Sequence, residues 1–333
     1  MKAMLLDHQS PISTAPLRLA DVPLPEPAPG EVRVKVSCCA ICRTDLHVIE
    51  GDLPAQKLPL APGHQIVGRV DALGPGCRQL KLGQRVGGAW LRHTCGQCQF
   101  CKSGRENLCE KSQFTGYHAD GGYAEFAVLP EAFAYDVPEV FGDVEAAPLL
   151  CAGIIGYRAL KRCCLPKGGR LALYGFGSSA HVLIQIARRR GSPVYVATRD
   201  ARHQELARSM GAEWAGGRPE EMPVKVHSAI VFAPVGELVP PALENLEPGG
   251  TLALAGIFMT PIPAMDYERC VFHERDIHSV TSNTREDGRE LLAEAASIPL
   301  RPRTTVYPLV DANRALADLK ADRISGTGVL VMD

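Results

Sequence analysis

LALYGFGSSAHVLIQIA, residues 171–187, is the stretch whose reading decides the fold. The apolar run Leu171 to Tyr174 reads as a strand, and a helix is expected after it through Ile186, with Gly175, Gly177 and Ala180 at the turn between them. A GxGxxA pattern alone is weak. Placed after a strand and opening a helix, it describes a backbone cradle for a dinucleotide pyrophosphate at a helix N-terminus, which makes Gly175, Gly177, Ser178, Ser179 and Ala180 candidate cofactor contacts.

Outward from that turn the chain alternates. Strands are expected at Val194–Ala197, Ala229–Phe232, Thr251–Ala255 and Ile277–Val280, with helices at Ala201–Met210 and after Gly236. Alternation at this spacing implies right-handed βαβ crossovers and a doubly wound parallel sheet. Upstream the texture changes: Met4–Leu6, Glu31–Cys38, Ile66–Leu73 and Tyr123–Val128 read as short strands cut by proline and glycine clusters, the pattern of a β-rich, barrel-like unit. Asp143 reads as the N-cap of an alanine-rich helical stretch that breaks near Pro148 and resumes from Cys151 toward Lys161. The tail from about Glu286, with elements at Thr304–Tyr307, Asp311–Leu319 and Thr327–Val331, is too short for a domain and is expected to rejoin the first unit. The chain is therefore read as α/β, with a β-rich domain over 1–150 and 286–333 and a cofactor domain over 151–285.

The residue that chooses between dinucleotides should stand just beyond the second strand, where NAD-binding chains place an acid for the ribose 2′-hydroxyl. Here the order is Val196, Ala197, Thr198, Arg199, with no acid until Asp200. A hydroxyl followed by a guanidinium suits a 2′-phosphate, so NADP(H) is expected over NAD(H), with Thr198 and Arg199 in contact.

At 333 residues, 46% of them hydrophobic, the chain has apolar material for two cored domains. Its 36 basic and 37 acidic residues leave a net charge of −1, which gives no electrostatic case for nucleic acid or a membrane surface as partner. No run approaches the ~18 apolar residues of a membrane span. The first residues, MKAMLLDHQS, lack a signal-peptide core, so a cytoplasmic location is expected.

Twelve cysteines in such a compartment point to metal rather than disulfides. Cys95, Cys98, Cys101 and Cys109, spaced C-x2-C-x2-C-x7-C, fall in a window where chance would put about half a cysteine. Four thiolates close a tetrahedral shell, the character of structural zinc. A zinc-ribbon nucleic-acid module would want basic and aromatic residues alongside, and only scattered Lys102, Arg105 and Lys111 are present.

Cys42 in CRTDLH, His64 in PGHQIVG and Cys151 in APLLCAG are weak signals singly, since buried cysteines and satisfied histidines are common. Together they offer two thiolates and one imidazole, a set that leaves a fourth zinc position open for water or substrate. Bringing a hydroxyl pKa from ~16 toward ~7 takes about 12 kcal/mol, beyond a side-chain base and within reach of a metal. Asp45 is the candidate acceptor for the spare imidazole N–H of His64, Thr44 the candidate partner of the substrate hydroxyl, and His47 the candidate carrier of its proton.

With CRTDLH, RENLC, DGGYAEF, PLLCAGIIGYRAL and YGFGSSAH in order, the whole chain resembles the zinc-dependent alcohol dehydrogenases of the medium-chain dehydrogenase/reductase superfamily, and within them the bacterial propanol-preferring type. The resemblance implies a GroES-like catalytic domain interrupted by a Rossmann domain, with the substrate cleft between them. It implies catalytic zinc on Cys42, His64 and Cys151, structural zinc on Cys95, Cys98, Cys101 and Cys109, and a proton relay of Thr44 and His47. It also implies that Arg43 contacts the cofactor pyrophosphate, and that Arg285 in SNTRED does likewise. A homodimer or homotetramer is the expected assembly.

Two positions depart from the family pattern. Gln65 stands where a glutamate usually follows the zinc histidine, which removes a negative charge beside the metal, and GQRV at Gly83–Val86 replaces the usual GDRV. Trp90 and Leu91, just before the cysteine loop, are candidate pocket walls that would favour small apolar substrates, with core packing as the competing explanation.

The leading expectation is a reversible oxidoreductase for small primary alcohols and aldehydes. A polyol or amino-alcohol dehydrogenase of the sorbitol or threonine type is the alternative within the class. Outside it stands a non-enzymatic nucleotide sensor, which nothing in the sequence favours.

Overall fold

A run as apolar as Leu171–Tyr174 needs cover on both faces, which the centre of a parallel sheet supplies. The computed structural model, which describes residues 1–298 and 300–332, buries all four of these residues completely. They lie in a six-stranded parallel sheet ordered Trp214–Gly216, Val194–Ala197, Leu171–Tyr174, Val226–Val231, Leu246–Leu254 and Asp276–Ser279. Numbered along the chain this is 3-2-1-4-5-6, the doubly wound Rossmann order, in which ligands sit at the strand ends where the direction of winding reverses. That reversal falls between Leu171–Tyr174 and Val226–Val231. Gly175 sits there at φ +89°, and a Cβ on it would come within 3.1 Å of the Ala233 amide nitrogen, so glycine is what lets the turn close.

The other unit is mainly antiparallel. Its hub is the ten-residue strand Glu31–Ala40, which pairs with Gln65–Leu73, Phe126–Pro130 and Thr327–Val331. Val32, Val34 and Val36 alternate into the core while Glu31, Arg33 and Lys35 face outward, the period of two that a half-covered sheet requires. Arg85–Gly88 and Tyr135–Asp136 extend the sheet on one side and Thr304–Pro308 on the other. The register Val329↔Ala40 sets the C-terminal segment into this same sheet.

The chain divides into a unit of Met1–Cys151, Asn283–Ala296 and Pro302–Asp333 and a unit of Ala152–Ser282 and Ser297–Arg301. Pro299 and Asp333, which fall in the sequence-based boundaries, lie outside the described residues. Asn283 joins the first unit by donating from Nδ2 to Tyr135 Oη at 3.5 Å, and Arg301 joins the second through its amide on Gln185 Oε1 at 2.9 Å. The fold is thus α/β, a β-rich, mainly antiparallel domain with a doubly wound parallel-sheet domain. Among the described residues no helix is long and apolar enough to cross a membrane.

Two local expectations are corrected. The cap of the Asp143–Ala146 helix is Gly142, whose amide donates to Glu145 Oε2 at 3.2 Å, while Asp143 is the first helical residue and holds Arg85 at 2.7 Å. The strand expected from Tyr123 begins at Phe126, because the Tyr123 amide is taken by the Pro62 carbonyl at 2.9 Å and its own carbonyl by Met4 at 2.8 Å. Trp214–Gly216, a segment to which the sequence assigned no element, forms the edge of the parallel sheet.

Candidate metal centres and cofactor cradle

The helix Arg43–Glu50 begins at Cys42, in extended backbone, and Asp45 reaches back from the third helical position to accept the Cys42 amide at 2.8 Å. This capping box fixes Cys42 and Asp45 together. His64 follows Gly63, at φ +94°, and Cys151 follows the short 3-10 turn Ala147–Leu150, so three breaks in regular structure deliver three side chains to one point. Their ligand atoms all lie within 4.8 Å of one another. A tetrahedral zinc with sulfur ligands at about 2.3 Å would separate neighbouring sulfurs by about 3.8 Å, so the spacing fits.

The charge pattern fits as well. His64 is fully buried; its Nδ1 lies 2.9 Å from Asp45 Oδ1, and its Nε2 is buried with no hydrogen-bond partner among the described residues. That leaves Nε2 aimed where a cation would sit, in the tautomer that the carboxylate selects. Burial opposes an imidazolium here, yet the Asp45 carboxylate and the Cys42 sulfur outweigh it and push His64 up to about 10. Cys42 is held well below its ordinary value by the hydrogen bond from Cys151, against burial and with help from His64. The same bond, with burial, holds Cys151 well above its own. A pocket that stabilises a thiolate and an imidazolium beside a buried carboxylate is one that calls for positive charge.

Asp45, 1% exposed, has no unpaired oxygen: Oδ1 takes His64, and Oδ2 takes both the Cys42 amide and the Tyr123 hydroxyl at 2.9 Å. Tyr123 is not among the candidate site residues of the sequence, where it stands only in a strand and in the DGGYAEF motif. Thr44 lies beside Cys42, its amide 3.5 Å from the sulfur, and its hydroxyl has no partner among the described residues. His47, a turn further on, engages Asp52 through Nδ1 at 2.8 Å. The Trp90 ring meets His64 edge-on at 5.0 Å and stacks on Phe114 at 4.8 Å, so it packs directly against the candidate zinc histidine. Leu91 is sealed from solvent and paired with Phe114 in a short ladder, as a packing residue would be. Gln65 is buried and donates from Nε2 to the Ile41 carbonyl at 3.3 Å; a glutamate there would set a carboxylate against that carbonyl. Gln84 of the GQRV segment donates to Asp136 at 2.6 Å.

The second cluster is a loop folded on itself. Cys98 and Cys101 sulfurs are 3.5 Å apart, Cys95 and Cys101 4.0 Å, and the Cys95 amide lies 3.4 Å from the Cys109 sulfur. All four sulfurs fall within 4.8 Å of one another, as a closed four-thiolate zinc site requires. The Cys95 thiol is drawn down to about 6, chiefly by the amides of Gln97 and Cys98, while burial and neighbouring sulfurs raise Cys101 to about 11.

In the Rossmann unit, Gly177 caps the helix Ser178–Arg189, no side chain caps that terminus, and a Cβ on Gly177 would meet nothing within 4 Å. Gly177 therefore borders open space at the positive end of a helix dipole, where the first turn of Ser178, Ser179 and Ala180 begins, a terminus suited to a pyrophosphate. Ala180 is fully buried beneath it. Thr198 gives its amide to the Gly216 carbonyl at 2.9 Å. Arg199 is exposed and has no partner among the described residues. Asp200, the first acid, is bound by Arg202 through its amide at 2.8 Å and its guanidinium at 2.6 Å, which hold its carboxyl well below the usual range. Arg43 is paired with Asp322. Arg285 is clamped by Glu106 of the cysteine loop at 2.7 Å and lies 4.5 Å over the Phe133 ring.

Residues 28–139 match the alcohol dehydrogenase GroES-like domain family and residues 180–297 the zinc-binding dehydrogenase family. A probable alcohol dehydrogenase AdhA of Mycobacterium tuberculosis (strain CDC 1551 / Oshkosh) is 50% identical over 337 residues, covering 100% of this chain and 97% of the relative. An alcohol dehydrogenase of Geobacillus stearothermophilus is 35% identical over 327 residues, 96% of this chain and 97% of that one. Among solved structures, a thermostable alcohol dehydrogenase from Pyrobaculum aerophilum is similar with a TM-score of 0.89 at 25% identity, covering 99% of each chain. With both domains matched and two zinc-ligand sets assembled by the fold, the chain belongs to the zinc-containing alcohol dehydrogenases of the medium-chain dehydrogenase/reductase superfamily.

Proposed function

We propose that the chain is a reversible alcohol dehydrogenase and aldehyde reductase for small primary alcohols, of the propanol-preferring kind, that favours NADP(H) over NAD(H). It would carry two zinc ions per subunit and work in the cytoplasm as a homodimer or homotetramer. The observation behind this reading is the convergence of Cys42, His64 and Cys151, three ligands where a closed site has four. When bound, zinc supplies Lewis acidity toward the substrate oxygen and the nicotinamide supplies hydride exchange.

The remaining work falls to side chains of the chain itself. Asp45 holds His64 so that Nε2 keeps its lone pair for the metal. The Thr44 hydroxyl, which has no partner among the described residues, takes the substrate proton, and His47 moves it outward toward Asp52, whose carboxylate is half exposed. Trp90 limits the width available to a substrate beside His64, which supports small alcohols over bulky ones. Arg199 and Thr198 receive the 2′-phosphate, with Asp200 withdrawn from competition by Arg202. The pyrophosphate contacts proposed for Arg43 and Arg285 would be made by guanidinium groups that also pair with Asp322 and Glu106.

The test is zinc content measured together with NADPH and NADH rates on straight-chain, branched and aromatic alcohols and aldehydes, with polyols and threonine as a second series. Propanol-sized primary alcohols with NADPH should lead. Faster turnover of polyols would move the assignment to that branch, and a clear advantage for NADH would overturn the cofactor preference.

A further inference from the structure

We propose that Tyr123 is a positioning residue for the Cys-His-Cys site, acting through Asp45 on His64; the proposal rests on reading Cys42, His64 and Cys151 as zinc ligands. Tyr123 is fully buried, and its hydroxyl donates to Asp45 Oδ2 at 2.9 Å. The other carboxylate oxygen receives His64 at 2.9 Å, and Oδ2 also receives the Cys42 amide at 2.8 Å. One carboxylate thus orients two metal ligands, and Tyr123 pins that carboxylate through the oxygen that His64 does not use.

The surrounding backbone is shaped to admit the ring. A Cβ on Gly63, the residue before His64, would come within 2.3 Å of Tyr123 Cδ1, so the turn that carries the zinc histidine closes directly on the tyrosine face. Phenylalanine would fill the same space. What tyrosine adds is one oxygen, buried where it must find an acceptor, and the acceptor it has is Asp45. The hydroxyl therefore serves to hold the carboxylate in the orientation that His64 needs.

The experiment follows zinc release to a chromogenic chelator, using the kinetic phase that Cys42→Ser abolishes. Tyr123→Phe keeps the ring and the fold and should speed that phase about three- to tenfold. Asp45→Asn, which removes the direct partner of the ligand, should speed it about 10- to 100-fold. Adding Tyr123→Phe to Asp45→Asn should change nothing further, because the tyrosine acts through that carboxylate. The visible spectrum of the cobalt-substituted Tyr123→Phe protein should also shift, as a purely structural role would not require. Release at the wild-type rate, or effects that multiply in the double variant, would overturn the proposal. A wild-type chain that retains only the four-cysteine zinc would instead sink the metal-site reading, and this proposal with it.

Discussion

Replacing Arg199 with alanine isolates the choice between the two dinucleotides. Arg199 is exposed and makes no hydrogen bond or ion pair among the described residues, so its removal should leave stability within about 0.5 kcal/mol. The neighbouring cap is untouched, since Asp200 and Arg202 satisfy each other. A hydrogen bond to a charged group is worth about 1.5–3 kcal/mol. At a surface position, water and salt reduce that to about 1–2 kcal/mol, and at 1.36 kcal/mol per decade the loss is about 5- to 30-fold. The assay is kcat/KM for NADPH and for NADH at two ionic strengths, with a thermal melt as control. NADPH efficiency should fall by that factor, and the deficit should shrink as salt rises, while NADH efficiency holds. An equal fall with both dinucleotides would mean that Arg199 serves something common to them, and no fall with either would remove it from the site; both results refute the reasoning.

Gly63→Ala should destabilise the protein by several kcal/mol and lower its zinc content, because the added Cβ meets Tyr123 at 2.3 Å on a backbone at φ +94°; a melt paired with metal analysis reads both. Cys98→Ser opens the four-thiolate shell, so zinc should fall from about two per chain to one with a drop in melting temperature; an unchanged stoichiometry counts against the cluster as a metal site. Glu131 accepts the amides of Arg78, Gln79 and Leu80 at 2.8–3.1 Å, and these outweigh burial to hold its carboxyl low. A depressed folded pKa gives stability that is present above the ordinary carboxylate range of about 4 and is lost as pH falls through the folded value. Glu131→Gln should therefore lower the melting temperature at neutral pH and flatten its decline in acid, and an acid limb as steep as wild type would contradict this.

How much of this was legible in the sequence depends on where each constraint lives. Leu171–Tyr174 and Val194–Ala197 are readable to the residue, because a strand covered on both faces is apolar throughout and no amphipathic alternative competes. Trp214–Gly216 is not, since three residues at a sheet edge, one of them glycine, carry too little period to register. Asp143 misleads for a related reason: an acid is favourable both at a cap and in the first turn, and only the reach of Glu145 back to the Gly142 amide distinguishes them.

The metal ligands show the same division at the level of chemistry. Four cysteines in one loop announce their site by spacing, whereas Cys42, His64 and Cys151 come from separate segments, and spacing says nothing of their distance. What unites them is a helix cap, a left-handed glycine and a 3-10 turn. Tyr123 lay a step deeper, for its partner Asp45 is 78 positions away and a strand pattern assigns faces, not acceptors. The sequence did carry a signal. Gly63 precedes the zinc histidine, Gly122 precedes the tyrosine, and a Cβ on Gly63 would strike the Tyr123 ring, so the first of these glycines is there to admit that ring. A glycine that clears room for one aromatic residue marks where the backbone has been shaped around it, and at this site that room is spent on bringing a single hydroxyl to the carboxylate that holds His64.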